Sequence, residues 1–160
     1  MDRAPIGSDD ERGWMEQALH EAALAPVHDD VPVGALVVHL PTGEIVARAH
    51  NARERDYDPT AHAELLALRD AARKIDSWRL SDHALVVTLE PCPMCAGAAW
   101  AARIERVVFG AADPKAGSTG SLYNFAADPR LNHRTEVVAG VRALECGDLL
   151  RAFFASRRGS

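Results

Sequence analysis

Four residues of the chain have side chains suited to metal binding and proton transfer, and they lie in two short motifs. His62 and Glu64 belong to the motif HAE, and Cys92 and Cys95 belong to the motif PCPMC. The two cysteines are three residues apart, so both sulfur atoms can lie on one side of a first helical turn. Pro93 suits the first position of that helix, because its missing N–H would have no partner there. The N-terminus of a helix also favours the thiolate, the form of cysteine that binds metal.

Two thiolates and one neutral imidazole predict a single zinc ion held by His62, Cys92 and Cys95. Three protein ligands leave the fourth position of zinc for water, as in catalytic sites, and zinc lowers the pKa of such a water to about 7. Glu64 lies two residues from His62, so it would not face the metal beside it. It is placed instead to carry protons between the water and a substrate. We therefore predict a zinc hydrolase with Glu64 as its catalytic residue.

Each motif alone is compatible with other roles. A histidine at the start of a helix is often structural, and a CxxC pair also occurs in redox sites and as half of a zinc finger. The proline after Cys92 and the absence of a second CxxC argue against a zinc finger. The combination of HxE with PCxxC, one strand apart, resembles the signature of the zinc-dependent nucleobase deaminases.

Hydrophobic periodicity and turn residues predict the elements that must hold these motifs. Helices are predicted from Ser8 to before Pro26 and over 62–75, 93–104 and about 146–157, and strands over 33–40, 45–49, 84–89, 106–109 and 136–141. HAE then starts one helix, and PCPMC joins a buried strand to the next helix. A hairpin followed by alternating helices and strands predicts an α/β fold, with a mixed sheet covered by helices on both faces.

The composition predicts a single domain that spans residues 1–160, with flexible ends at 1–8 and 158–160. No apolar run approaches the roughly 20 residues that span a bilayer, and residues 1–12 are polar and acidic. We therefore expect a cytoplasmic protein with no membrane partner. The net charge of −5 gives no general attraction to nucleic acid, so an RNA partner would need a local basic patch. Arg151, Arg157 and Arg158 near the C-terminus form one candidate patch, although they also suit the end of a solvated helix.

Longer segments resemble the cytidine deaminase superfamily and, within it, the bacterial tRNA-specific adenosine deaminases. The matching segments are VPVGALVV, DPTAHAELLALR, TLEPCPMCAGA, RIERVVFGAADPKAGSTGSL and LNHR, and they run from about Trp14 to Phe154. The resemblance implies a three-layer α/β/α cytidine deaminase-like fold with a mixed central sheet, a homodimer, and one zinc per chain held by His62, Cys92 and Cys95. It also implies hydrolytic deamination of the wobble adenosine to inosine in the anticodon stem-loop of an arginine tRNA.

The same resemblance implies a set of substrate-binding residues. Asn51 follows the second strand, where its amide can hydrogen-bond a purine edge, but an asparagine there also suits a turn. Asp113 lies in a loop that the family uses to contact the target nucleotide, and it also suits a turn before a proline. The predicted substrate-binding residues are Asn51, Ala63 through its backbone N–H, Asp113, Lys115, Asn132, His133 and Arg134. His133 and Arg134 are also compatible with an ordinary surface.

Two other functions remain open from the sequence. Free-guanine and free-cytosine deaminases share the HAE and PCxMC motifs, so these motifs do not select the substrate. The segments 106–122 and LNHR favour the tRNA enzymes, although the C-terminal segment has few basic residues for a strong RNA binder. The alternative from another class is a noncatalytic, zinc-stabilised RNA-binding subunit. In such subunits the proton-carrying glutamate is commonly replaced, so the presence of Glu64 favours an active enzyme.

Overall fold

A five-stranded mixed sheet carries both motifs at one of its ends. The computed structural model describes residues 5–158, and the strand order is β2-β1-β3-β4-β5. The strands are β1 (Gly34–His39), β2 (Glu44–His50), β3 (His83–Leu89), β4 (Arg106–Ala111) and β5 (Glu136–Ala139), and the helices are α1 (Asp9–Ala22), α2 (Arg53–Asp56), α3 (Ala63–Lys74), α4 (Pro93–Ala101) and α5 (Ala143–Arg158). β1 pairs antiparallel with β2 and β3, whereas β3, β4 and β5 are parallel. The predicted α/β fold with a mixed sheet is confirmed.

The two faces of the sheet bury two separate hydrophobic cores. Ala35 and Val37 of β1 pack in one core with residues of α3 and α4, while Leu36 and Val38 pack in the other with residues of α1 and α5. This alternation follows from the two-residue period of side chains along a strand. Because both faces are covered, β3 reads as a continuous apolar run rather than as alternating apolar and polar residues. Helices thus lie on both sides of the sheet, as the sequence predicts.

Several helix boundaries differ from the predicted ones. α4 ends at Ala101 rather than at 104, because Arg103 adopts a left-handed conformation with φ of 62° that terminates the helix. The last helix starts at Ala143, directly after the left-handed Arg142. The stretch between the predicted strand 45–49 and the predicted helix 62–75, where no element was predicted, contains the single helical turn α2. The deviations of α4 and α5 fall at element ends, where backbone conformation is least determined by hydrophobic periodicity.

Helices lie at or near both ends of the described region. Ser8 caps α1 through a reciprocal pair of hydrogen bonds with Glu11, and α5 runs to Arg158. Residues 1–4 and 159–160 lie outside the described residues, so flexibility at 1–8 and 158–160 stays a prediction. Across residues 5–158, none of the helices is both long enough and apolar enough to cross a membrane.

Candidate active site

The two motifs meet because each one begins a helix. His62 is the N-cap residue of α3, and Cys92 is the N-cap residue of α4. Both caps have extended backbone angles, with ψ of 147° for His62 and 176° for Cys92, so the chain enters each helix from an extended segment. The segment before Cys92 is the carboxyl end of β3. Two helix N-termini therefore point towards one place, where their dipoles favour negatively charged ligands such as thiolates.

Three side chains at this place have the spacing of a zinc site. The Nδ1 atom of His62 lies 3.6 Å from Sγ of Cys92 and 3.5 Å from Sγ of Cys95. All three atoms lie within 4.8 Å of one another. A tetrahedral zinc with Zn–S bonds of about 2.3 Å and Zn–N bonds of about 2.0 Å separates nitrogen from sulfur by about 3.5 Å. The three side chains therefore fit a zinc ion without rearrangement, and Glu64 lies outside the ligand group.

The ionisation of Cys92 suits metal binding. A hydrogen bond with Cys95 and the neighbouring ring of His62 lower the pKa of the Cys92 thiol to about 4, and together they outweigh the opposing effect of burial. This lowered pKa favours the thiolate, the form of cysteine that binds metal. His62 and Cys92 are half-buried while Cys95 is buried, so the ligand group is open towards one side only.

Glu64 is a buried carboxyl group in the first turn of α3. Its exposed fraction is 4%, and burial raises the pKa of the carboxyl to about 7. A group with a pKa near the operating pH can both accept and donate a proton, as general acid–base catalysis requires. Glu64 lines the same cavity as His62 and Cys92. The position and the pKa of Glu64 therefore both suit proton transfer at the zinc site.

The open side of the ligand group faces a small cavity of about 200 Å³. Its walls bring together residues that are distant in the sequence: Val31, Val33, Asn51, Arg53, His62, Glu64, Leu89, Glu90, Cys92, Asp113 and Ala116. The segments 51–53, 62–64, 89–92 and 113–116 thus enclose one space. Of the predicted substrate-binding residues, Asn51 and Asp113 line this cavity.

Asn51 is fixed in orientation by the start of α3. Its Oδ1 atom accepts a hydrogen bond of 2.8 Å from the backbone N–H of Ala63. Because that partner is a donor, the oxygen must face Ala63, which leaves the NH₂ group as the part of the amide that a substrate can meet. The N–H of Ala63, which the sequence predicts as a pocket donor, therefore serves to orient this amide.

Asp113 lies in a tight turn as well as in the cavity wall. Its Oδ1 atom accepts hydrogen bonds from the backbone N–H groups of Lys115 at 3.0 Å and Ala116 at 3.3 Å. The two alternatives for Asp113, a turn residue and a pocket residue, are therefore both compatible with its place. Lys115 itself is exposed at the edge of this loop.

The other predicted RNA contacts lie elsewhere on the chain. The Nε2 atom of His133 donates a 2.8 Å hydrogen bond to the carbonyl of Ile104, which lies at the amino end of β4. Asp113 follows the carboxyl end of the same strand. Six residues of strand separate these ends by roughly 20 Å. Asn132 and Arg134 flank His133 and are exposed, so the structure does not bring this group to the cavity of the same chain.

Two charged residues of the cavity wall, Arg53 and Glu90, were not predicted from the sequence. Arg53 lies in α2, where the sequence predicted no element. The buried carboxylate of Asp30 holds α2 by accepting hydrogen bonds from the N–H groups of Glu54 and Arg55. Glu90 directly precedes the PCPMC motif, and its side chain was not predicted to line the pocket. The one available signal for Glu90 was a charged residue placed between an apolar strand and a metal-ligand motif.

The chain is similar to known proteins over nearly its whole length. Residues 8–111 match the family model described as the cytidine and deoxycytidylate deaminase zinc-binding region. The tRNA-specific adenosine deaminase of Bacillus subtilis (strain 168) is 50% identical over 145 residues, which are 91% of this chain and 89% of the relative. The protein of the same name from Haemophilus influenzae is 44% identical over 158 residues, which are 99% of this chain and 91% of the relative.

Solved structures have the same architecture. One, from a study of A-to-I editing by tRNA:A34 deaminases at the wobble position of transfer RNA, has a TM-score of 0.82 and 40% identity, and the match covers 86% of this chain and 99% of that one. A guanine deaminase from Nitrosomonas europaea has a TM-score of 0.73 and 25% identity, with 96% of this chain and 88% of that one covered. The predicted three-layer fold is thereby confirmed, and the two neighbours differ in the substrate that each name gives.

Proposed function

Because this chain belongs to the cytidine and deoxycytidylate deaminase family, we propose that it deaminates the wobble adenosine of a tRNA anticodon to inosine. The observation that carries the choice of substrate is the extent of the match to tRNA-specific adenosine deaminases. Identity of 44% to 50% extends over 91% or more of the chain, including the segments after the zinc-binding motifs. An RNA substrate of this kind also supports the cytoplasmic location that the sequence predicts.

His62, Cys92 and Cys95 are the residues that would hold zinc. When bound, zinc acts as a Lewis acid that makes water available as a nucleophile near neutral pH. In the overall reaction, adenosine and water give inosine and ammonia: an oxygen–carbon bond forms at C6 of the base, and the C6–amino bond breaks. Glu64 carries the two protons of the water in turn, one to the ring nitrogen N1 and one to the departing amino group, which leaves as ammonia, so its carboxyl ends the cycle as it began.

Asn51 and Asp113 position the substrate. The NH₂ group of Asn51 donates to an acceptor on the edge of the purine ring, and the hydrogen bond from Ala63 keeps that group in the required orientation. Asp113 and Ala116 form the facing wall, next to the ribose of the target nucleotide. A base must leave its stack to enter such a cavity, and an anticodon loop offers unpaired bases at low cost.

A homodimer completes the proposal. An apolar groove of about 290 Å³ lies between α3 and α4, and its walls include Leu65, Ala98 and Ala101. Trp78 lines the same groove and is 57% exposed. An exposed aromatic residue beside an apolar groove is typical of protein interfaces. Sedimentation should give twice the mass of one chain, and Ala98→Arg should reduce it to the mass of the monomer.

The proposed reaction is tested with total tRNA as substrate. Purified protein is incubated with total tRNA, and the anticodons are analysed for inosine by nuclease digestion and mass spectrometry. We expect inosine at the wobble position of an arginine tRNA. The control is a Glu64→Gln variant, which should retain zinc but form no inosine. If none of the anticodons gained inosine, the proposal would be contradicted.

A second candidate function is the deamination of free guanine. The observation in its favour is the guanine deaminase from Nitrosomonas europaea, which has the same fold at 25% identity. The HAE and PCxMC motifs do not separate the two reactions. A direct assay of xanthine formation from free guanine distinguishes them.

A further inference from the structure

Glu90 is a buried carboxylate beside the predicted zinc-binding motif. It lies between the end of β3 and the PCPMC motif, and only 2% of its surface is exposed. In the described part of the chain, no lysine or arginine forms a salt bridge with it. A buried charge is costly unless hydrogen bonds compensate for its lost hydration. The partners of Glu90 therefore indicate what this carboxylate does.

All the hydrogen-bond donors to Glu90 come from one loop. Its Oε1 atom accepts from the N–H of Asp113 at 3.1 Å and from the hydroxyl of Ser121, and its Oε2 atom accepts from the N–H groups of Thr119 at 3.2 Å and Ser121 at 3.0 Å. These contacts hold the pKa of Glu90 below its ordinary value despite burial. Hydrogen bonds to an ionised acceptor are about twice as strong as those between neutral groups. The loop 113–121 is thus folded around a single carboxylate.

The packing inside this loop is as close as the hydrogen bonding. A Cβ atom at Gly117 would lie 2.3 Å from Cδ of Glu90, so only glycine allows the loop to close over the carboxylate. The N–H of Ser118 donates to the carbonyl of Pro91 at 2.8 Å, which adds a backbone link to the same segment. Gly117 and the four donors are therefore independent indications that the loop is built to enclose Glu90.

The loop and the zinc site are joined through this residue. Cys92 follows Glu90 by two residues in the sequence. In the loop that Glu90 holds, Asp113 and Ala116 form a wall of the active-site cavity. We propose that Glu90 is a positioning residue that fixes the 113–116 wall relative to the zinc ligands, and so sets the shape of the pocket for the target nucleotide. This inference rests on the proposed function, because it assigns the wall to substrate binding. The oxygens of Glu90 are used by the loop, so it acts through the loop rather than on the reacting atoms.

The test is Glu90→Gln in the full chain, which keeps the shape of the side chain but removes its charge and turns one acceptor into a donor. We expect one zinc per chain, as in the wild type. Hydrogen exchange at the amides of Thr119 and Ser121 should accelerate at least about tenfold, because each loses a charge-assisted hydrogen bond. For an anticodon stem-loop, KM should rise and kcat should fall, with kcat/KM at least about tenfold lower.

Two further variants separate positioning from a general loss of folding. Ser121→Ala removes only the hydroxyl donor, so the variant should fold normally. It should accelerate amide exchange and lower kcat/KM, each by a smaller factor than Glu90→Gln does. Glu136→Gln is the same substitution at an exposed carboxylate on β5, and it should change neither the amide exchange rates nor kcat/KM. Unchanged exchange in Glu90→Gln, or faster exchange with kcat/KM within twofold of the wild type, overturns the proposal. If the wild type does not deaminate the stem-loop, the proposed function fails, while the exchange measurement still decides whether Glu90 organises the loop.

Discussion

The side-chain oxygen of Asn51 and the backbone N–H of Ala63 form a buried 2.8 Å hydrogen bond that joins the end of β2 to the first turn of α3. Ala63 lies between His62 and Glu64, so this bond fixes the amide of Asn51 relative to both the predicted zinc ligand and the predicted proton-transfer group. The free end of the amide is thereby turned towards the cavity.

Asn51→Ala should lower kcat/KM for an anticodon stem-loop by about tenfold to a hundredfold, because it removes the contact to the base and leaves the Ala63 N–H unpaired. Zinc content should not change. Asn51→Asp is the matched comparison, since it retains an acceptor for Ala63 but lacks the NH₂ donor. If Asn51→Asp turned over substrate like the wild type, the assigned contact between the amide and the base would be wrong.

Cys92→Ala should lose both zinc and activity, because two remaining ligands hold zinc poorly. Elemental analysis of protein purified without chelator gives the zinc content directly, and we expect one zinc per wild-type chain. Cys146→Ala is the control: this cysteine belongs to α5 and is buried in the core on the other face of the sheet, so its loss should leave zinc in place. Wild-type protein that contains no zinc would contradict the mechanism.

Glu64→Gln should retain zinc, because Glu64 lies outside the ligand group, but should lose the factor of about 10²–10⁴ that is typical of general acid–base catalysis. Single-turnover assays with the stem-loop measure this factor apart from product release. Near-normal turnover by the zinc-containing variant would remove Glu64 from its assigned role.

Charge reversal near the C-terminus should weaken RNA binding without affecting zinc. Arg157 pairs with Asp29 at 2.7 Å, and Arg158 follows it at the end of α5. Reversal of both should lower the affinity for the stem-loop and reduce the slope of log affinity against log salt by about one per lost phosphate contact. Lys74→Glu, at the far end of α3, is the control. An unchanged affinity and slope in the double variant would exclude this patch from the RNA interface.

Local sequence patterns were sufficient to predict most of the fold. The apolar runs of β1 and β3 and the capping pair Ser8 and Glu11 act over a few residues, so their elements were predicted with small boundary errors. The end of α4 was missed because the left-handed conformation of Arg103 is not a property of its residue type. The turn α2 was missed because Asp30 stabilises it from a distant segment.

In the candidate site, too, features that depend on local spacing were predicted, and features that depend on distant contacts were not. The sequence places the predicted zinc ligands and Glu64 in two pairs that each lie within one helical turn, where spacing determines geometry, and the structure brings these residues together. The role of Glu90 depends on donors more than 20 residues away, and the distance of His133 from the cavity depends on its bond to Ile104. Neither contact leaves a local pattern in the sequence.

The most direct test of the central claim is a comparison of initial rates on four substrates under the same conditions. The substrates are an anticodon stem-loop of an arginine tRNA with adenosine at the wobble position, free adenosine, free guanine and free cytosine. We predict inosine formation in the stem-loop, little reaction of free adenosine, and none of free guanine or cytosine. Efficient turnover of free guanine with the stem-loop unchanged would contradict the account, and would leave only the shared zinc-site chemistry in place.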